Sequence, residues 1–458
     1  SPLLRSLRLV RRGGGGEVGH LFFYNTSRTN FGEDRVSLSK SVIVIGGGVV
    51  GLCSAYYLMR AGHTVTIVER GKPDHDGCSL GNAGMVTPSH FVPLAAPGMV
   101  AVGLKMMFNP RSPFYIRPRF DGDLFRWAWG FYRAANAAHV QRSAPILRDL
   151  NLASRECYAE LHDQMHSEPD TDFGMVKRGL LMLCKTEHRL HEEGEMAEMA
   201  RKLGLSAEVL TAKQAAEHDP QITMDIAGAV YFPQDCHLIP QRFIAGITQE
   251  LDTNGAKWQW NTEVTGWRTE GNRVTALQTT HGDMTADEFV LAGGAWSGQA
   301  VKALGLNLPM QAGKGYSLTL KEPRQLPSLC SICTEARVAV TPMGDTLRFA
   351  GTMEVAGLNT SINPKRIEGI VAAIPRYFPA FRPDDFQDLP AWSGLRPCSP
   401  DGLPYLGRPA KFANLCLATG HAMMGMSLGP ITGKLVAELV SAQTPSLDLT
   451  LLSPDRYS

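Results

Sequence analysis

The 458-residue chain predicts an α/β protein in which a doubly wound, Rossmann-type nucleotide domain is interleaved with an α+β domain built on an antiparallel sheet. Three observations carry that expectation. A β-branched run, Val42 to Ile45, leads into Gly46-x-Gly48-x-x-Gly51 and an apolar helical pattern that reaches about Ala61. Short strand patterns bounded by turn residues recur over 179–185, 228–232, 316–320, 337–341 and 347–351, with local connections that suit antiparallel pairing. The nucleotide-domain pattern then resumes after residue 257 and again near residue 420, so neither domain is continuous in sequence.

Bulk properties bound the function. The chain exceeds the roughly 250–300 residues at which single cores stop growing. Its 45 basic and 44 acidic side chains leave a net charge of +1, which excludes a nucleic-acid partner. Nine scattered cysteines, an odd number, suit a reducing, cytoplasmic setting. Cys330-x-x-Cys333 lacks a second ligand pair, so no metal is expected. Residues 1–40 carry Arg5, Arg8, Arg11, Arg12 and a run of four glycines; they read as an extension outside the fold, with an organelle presequence or a basic membrane arm as alternatives. Ser41 to Met59 is uncharged, but three successive glycines argue for strand, turn and helix instead of a membrane span. A peripheral contact with the inner face of a membrane and a homo-oligomer both stay open.

Each glycine of the first motif has a task. Gly46 makes the tight turn, Gly48 lets a pyrophosphate approach the N–H groups that open the helix at Val49 and Val50, and Gly51 permits close helix-to-strand packing. The next strand, "HTVTIVERG", ends on Glu69 and Arg70, about 20 residues further on, where an acid accepts hydrogen bonds from an adenosine ribose. That favours FAD or NAD over NADP. A loop from Gly77 to Gly98 offers small residues and donors at Ser79, Asn82, Ala83 and Gly84, as if laid against a ligand. Helical patterns follow over 123–140, 146–165 and 240–254. The returning segment places Val264 near the adenosine and Gly293, Gly294 and Trp296 over the nucleotide. At the far end, "GHAMMGMSLGPITGKLVAELV" combines glycines 420, 425 and 429, which let backbone approach something closely, with a helix bearing Ile431, Leu435, Val436 and Leu439 at helical spacing.

Taken together, the Gly46–Gly51 motif, Glu69, "NAG" at 82–84, "LAGGAWS", "WSGLRPCSPDGLPYLG" and "TGHAMMGMSLGPITGK" resemble the glutathione-reductase-like FAD oxidoreductases of the D-amino-acid oxidase superfamily, and within them the bacterial D-amino-acid dehydrogenases. The resemblance spans roughly 41–443. It implies non-covalent FAD, and oxidation of a D-amino acid to an imino acid and then to a 2-oxo acid and ammonia by hydride transfer from Cα to flavin N5. Electrons pass to a quinone or other acceptor. It implies a cofactor domain in segments 41–95, 226–310 and 391–445, a substrate domain in 96–225 and 311–390, and a tail at 446–458. It also puts Gly394, Gly420, Gly425, Met426, Ser427 and Leu428 beside the flavin, where a helix N-terminus suits the negative charge of the reduced ring.

Hydride loss from Cα needs no side-chain base on carbon; it needs a carboxylate anchor and a fixed orientation. Arg396 in "GLRP" is the expected anchor, because a guanidinium fork matches a carboxylate bidentately. Tyr316 in "GKGYS" is expected to donate its hydroxyl to the same carboxylate. His90 and His421 are candidates to accept the amine proton or tune the flavin. Two other functions fit the same motifs: an oxygen-using oxidase of glycine, sarcosine or cyclic D-imino acids such as D-proline, and a flavin-binding subunit without turnover.

Overall fold

The computed structural model describes residues 39–107, 109, 111–165 and 172–458. The expected extension therefore lies outside the described residues, apart from its last two. Residues 39–458 pack as one compact unit.

A six-stranded sheet forms the nucleotide-binding layer. Its order is Tyr405–Gly407, Leu415–Thr419, Glu288–Leu291, Ser41–Ile45, Thr64–Val68 and Lys257–Gln259. All neighbours run parallel except the first pair. Alternation along the strands explains why the sheet is apolar on both faces. Val42, Val44, Val65 and Ile67 pack against the helices Val49–Arg60, Ala137–Met165, Pro240–Thr253 and Gly425–Val440. Ile43, Ile45, Phe289 and Leu291 pack on the opposite side, where the three-stranded Val264–Met284 sheet covers them with Val274 and Leu277.

The Gly425–Val440 helix is buried almost all round, not on one stripe. Its glycines show what approaches. A Cβ on Gly429 would come 2.9 Å from the Val49 side chain, and one on Gly433 would come 2.4 Å from the Cys53 backbone. The close partner at these two positions is the Val49–Arg60 helix, so the helices that leave the two glycine loops are locked together.

The second sheet has nine strands, in the order Trp392–Cys398, Gln311–Leu320, Thr346–Val355, Val338–Met343, Cys330–Cys333, Leu180–Cys184, Gly228–Phe232 and Glu208–Thr211, with Phe114–Ile116 beside Thr346–Val355. It is antiparallel but for two parallel pairings, Cys330–Cys333 with Leu180–Cys184 and Phe114–Ile116 with Met353–Val355. Gly228–Phe232 and Trp392–Cys398 belong here, so the expected cofactor segments beginning at 226 and 391 each take in a strand of the other sheet. The helical pattern over 123–140 is two helices, Gly122–Ala134 and the start of Ala137–Met165, broken at Ala135 and Asn136. The helices Glu187–Lys202 and Pro364–Tyr377 escaped the sequence reading.

Candidate active site

The first glycine motif folds as its spacing requires. Gly46 has φ +112°, and a Cβ there would lie 2.6 Å from the Ala292 carbonyl; one on Gly51 would lie 1.8 Å from the Gly46 carbonyl. Gly48 differs: a Cβ would meet only Ser79 Oγ, at 3.6 Å, so its surroundings are open. The helix it starts has no acidic residue in its first turn, and its Val49 N–H donates to Ser79 Oγ at 3.0 Å. Val50 and Gly51 keep N–H groups with no intrahelical acceptor, which suits a phosphate. Glu69 accepts from Gly47 N–H through Oε2 and from Gly71 N–H through Oε1, both at 2.7 Å. Its carboxylate therefore sits beside the turn. Arg70 stacks its guanidinium 3.5 Å over the Trp296 ring. Gly293 abuts Gly46, and the Gly294 carbonyl accepts from Thr419 Oγ1 at 3.1 Å. Val264 packs into the Ile43 and Val68 cluster.

The 77–84 loop is held from the second sheet. Buried Arg348 donates from Nη1 to the carbonyls of Leu80 (3.1 Å) and Asn82 (2.7 Å) and from Nε to Thr319 Oγ1 (3.0 Å). Burial lowers its pKa only to about 10, so it stays charged at neutral pH. Asn82 Oδ1 accepts from Gly84 N–H at 2.8 Å. The Trp392 indole lies across both Gly81 and Gly394, where a Cβ would fall 2.1 Å from its ring atoms, and donates to the Asp76 carbonyl at 3.0 Å. Gly394 is thus needed for the tryptophan.

Between the sheets lies a cavity of about 480 Å³, bordered by Gly81, Asn82, Ala83, Thr87, His90, Gly394, Arg396 and Ser427. Most of its wall is apolar: Met99, Met106 and Met107 from the Met99–Met107 helix, Phe114, Trp127, Phe131, Met182, Met353, Met423 and Met424. Arg396 stands out in it. The guanidinium lies over Gly315, where a Cβ would come 2.1 Å from Nη2, and Nη1 donates to the Thr352 carbonyl at 2.6 Å. Thr352 holds φ +71°, an uncommon conformation for a β-branched residue, at a register shift between its strand and Gln311–Leu320. Among the described residues Arg396 has no carboxylate within ion-pair distance, and burial disfavours its charged form. A buried charge without a counter-ion is costly unless a ligand supplies one.

His90 borders the same cavity and is connected inward. Ser89 Oγ donates to Asp235 Oδ2 at 2.5 Å and lies 3.1 Å from His90 Nδ1, while Ser89 N–H donates to Asp235 Oδ1 at 3.0 Å. A hydroxyl has one proton. With that proton on Asp235, Ser89 Oγ must accept from His90 Nδ1–H, which leaves Nε2 as a bare acceptor. Burial lowers His90 to a pKa of about 4 and raises Asp235 to about 7. Neither Ser89 nor Asp235 shows a sequence periodicity or motif that marks it.

Two expected site residues are engaged with partners of their own. Tyr316 borders the cavity next to Gly315, but its ring packs with Leu318, Phe349 and Ile370, and its hydroxyl donates to Glu354 Oε2 at 2.6 Å. His421 is buried with Nε2 3.0 Å from Thr432 Oγ1 and does not border the cavity. Of the expected flavin-loop residues, Ser427 borders the cavity, accepts from Thr87 N–H at 3.0 Å and donates to Asn151 Oδ1 at 2.6 Å. Met426 and Leu428 lie in the core, the Met426 carbonyl accepting from Tyr158 at 2.6 Å. Gly420, at φ +80°, is closed in by Tyr405, and Gly425 opens the helix. Met423 and Met424 border the cavity in their place. No group of three or more potential metal ligands occurs among the described residues.

Residues 41–439 match the model of the DAO family, "FAD dependent oxidoreductase". The chain belongs to this FAD-dependent oxidoreductase family. Two similar relatives are both named "D-amino acid dehydrogenase". One, from Bradyrhizobium diazoefficiens, is 31% identical over 426 residues, covering 91% of this chain and 99% of the relative. The other, from Granulibacter bethesdensis, is 32% identical over 430 residues, with the same coverage. Among solved structures, glycine oxidase from Geobacillus kaustophilus superposes with a TM-score of 0.73 at 24% identity, covering 92% of this chain and 99% of that one. L-proline dehydrogenase from P. horikoshii gives 0.68 at 18% identity, covering 92% and 97%. These likenesses establish the fold.

The cradle fits the family's cofactor. Open space at Gly48, a helix N-terminus free of acid, and Glu69 beside the turn are what a dinucleotide needs. No helix among the described residues is long and apolar enough to cross a membrane.

Proposed function

We propose that this family member is a D-amino-acid dehydrogenase, oxidising a D-amino acid to its imino acid, which hydrolyses to a 2-oxo acid and ammonia, with electrons leaving to a quinone or other acceptor. The observation that carries this is Arg396: a tethered guanidinium with no carboxylate partner among the described residues, bordering an apolar cavity beside the cofactor loops. The relatives' printed names support the same activity.

FAD, when bound, supplies the acceptor for the hydride that leaves Cα. The chain's own residues do the rest. Thr352 fixes Nη1 of Arg396, leaving Nη2 and Nε to grip the substrate carboxylate. Burial keeps His90 neutral, so its bare Nε2 accepts a hydrogen bond from the substrate's neutral amine, the form that has left its ammonium proton in solvent and whose lone pair can push the hydride out. Ser89 and Asp235 position His90 in the tautomer that can accept. The apolar wall excludes water and accommodates an apolar side chain. We infer that FAD is held without a covalent bond: burial raises the Cys78 thiol above its ordinary value and Cys398 to about 12, so the two cavity cysteines are poor nucleophiles.

The test is product formation. Purified FAD-loaded protein given a D-amino acid with an apolar side chain and a soluble quinone analogue should release ammonia and the 2-oxo acid in equal amounts. No ammonia from any D-amino acid would overturn the proposal.

A further inference from the structure

The cavity wall carries two cations besides Arg396: Arg189 and Arg337. Arg189 is spent, since it pairs with Glu192 at 2.7 Å and with Glu193 at 2.6 Å. Arg337 is not. It makes no ion pair among the described residues, and its Nη2 lies 4.0 Å from the Met99 sulfur. Arg337 keeps solvent access at the rim. The packing around it and the neighbouring Arg189 disfavour its charge, and Glu193, the acid that favours it, is already gripped by Arg189. Glu335, two residues earlier, is engaged by the Lys185 N–H at 3.0 Å and by the Tyr377 hydroxyl. The cavity therefore offers a second guanidinium with no carboxylate of its own.

The backbone holds Arg337 there against its own preference. Its φ is +51°, in the left-handed region, at the turn between Cys330–Cys333 and Val338–Met343. Thr352 is left-handed too, and the two residues meet at one place in the sheet. Val338 pairs with Gly351, where a Cβ would come 3.1 Å from the Arg337 carbonyl, and the next carbonyl along, that of Thr352, takes Nη1 of Arg396. Adjacent residues of a single strand thus fix both arginines. Backbone strain of this kind persists only where the surroundings enforce it, and it gathers at ligand clamps. Between the two cations the floor is low: Ala339 and Ala350 pair across the strands, and both border the cavity. The Arg396 guanidinium lies over Gly315, in a strand two places from Val338–Met343. Two strand widths separate the backbone beneath the cations by roughly 10 Å.

We propose that Arg337 is a second carboxylate anchor, which makes D-amino acids with an acidic side chain, of the D-glutamate type, preferred substrates. Arg396 holds the α-carboxylate, the side-chain methylenes lie over Ala339 and Ala350, and Arg337 takes the terminal carboxylate, which supplies the counter-charge that the protein withholds. Apolar D-amino acids fit the same wall but lack the second anchor. This specificity rests on the proposed dehydrogenase activity; the anion subsite at Arg337 does not.

The experiment compares D-glutamate with D-glutamine, its near-isosteric neutral amide, as substrates of the FAD-loaded full chain with a soluble dye acceptor. Wild type should favour D-glutamate by about tenfold or more in kcat/KM. Arg337→Asn, which removes the cation with a residue that tolerates left-handed backbone, should bring the two substrates level. Arg337→Lys should keep part of the preference, because it keeps the charge and loses the fork. Flavin content of each sample shows whether the variant is folded. Calorimetry gives a readout without turnover: glutarate should bind the wild type more tightly than butyrate, and lose that advantage in Arg337→Asn. Wild type that oxidises D-glutamine as well as D-glutamate, or an Arg337→Asn protein that still favours D-glutamate, would overturn the proposal and leave the dehydrogenase reading intact. A protein that oxidises no D-amino acid yet binds glutarate through Arg337 would remove the dehydrogenase reading and leave the anion subsite standing.

Discussion

Replacing Arg396 with alanine removes a cavity-wall cation that is tethered beside the cofactor loops and has no carboxylate partner among the described residues. In the cavity its free Nη2 and Nε can make two charge-assisted bonds to a substrate carboxylate, each worth about 1.5–3 kcal/mol. Part of that is offset by relief of the burial that already disfavours the cation. A net loss of about 2–4 kcal/mol is expected, which is roughly a 30- to 1000-fold fall in kcat/KM. Most should appear in KM, because the carboxylate is gripped equally before and during hydride loss. Lysine should recover little, since it keeps the charge but loses the fork and the Thr352 tether. The assay is steady-state oxidation of a D-amino acid with a soluble acceptor, with flavin content measured on the same sample. An Arg396→Ala protein that retains flavin and wild-type kcat/KM would refute the anchor.

The Ser89–Asp235 chain should make the rate of substrate oxidation depend on pH. Asp235 has a folded-state pKa raised to about 7 by burial. Below that it carries the proton, donates to Ser89 and forces His90 Nε2 to be the N–H nitrogen, so flavin reduction should slow as pH falls through 7 and plateau above it. Asp235→Asn should lower the rate constant for flavin reduction by roughly 2- to 10-fold and abolish that pH step; an unaltered profile would remove His90 as the acceptor for the substrate amine. Glu69→Ala should weaken FAD retention about tenfold or more, read by equilibrium dialysis, since it also frees Gly47 and Gly71 N–H. Gly433→Ala drives a Cβ to within 2.4 Å of the Cys53 backbone and should cost about 1–3 kcal/mol in thermal or urea unfolding. A wild-type midpoint would show that the two helices can separate freely.

Much of the cofactor cradle was legible because backbone constraints write themselves as glycine. Gly46 and Gly51 are enforced by contacts of 2.6 and 1.8 Å to carbonyl oxygens, and no other residue fits. At Gly429, where a close approach was expected, the approaching element is the Val49–Arg60 helix, as it is at Gly433 one turn on. Arg396, singled out by its motif, borders the cavity, and so does Tyr316, but the Tyr316 hydroxyl is engaged by Glu354, a partner the sequence does not mark. His421 does not border the cavity; its partner, Thr432, is one the local sequence does not mark. Ser89, Asp235 and Arg348 act through contacts far apart in the chain, such as the one between Ser89 and Asp235, and such pairings leave no local pattern. The exposed aromatic side chains of the Gly122–Ala134 helix were read from sequence only as a helical pattern over 123–140. Which side of a helix is covered depends on what the rest of the chain places there.

If D-amino acids deliver electrons through this cavity to bound FAD and onward to a non-oxygen acceptor, anaerobic stopped-flow mixing of the FAD-loaded protein with D- and L-enantiomers of the same apolar amino acid should show it in the oxidised flavin band. Rapid bleaching by the D-enantiomer only is expected, with fast recovery with a quinone analogue and slow recovery in air. Bleaching by the L-enantiomer, prompt reoxidation by air with peroxide, or an unbleached flavin would contradict it.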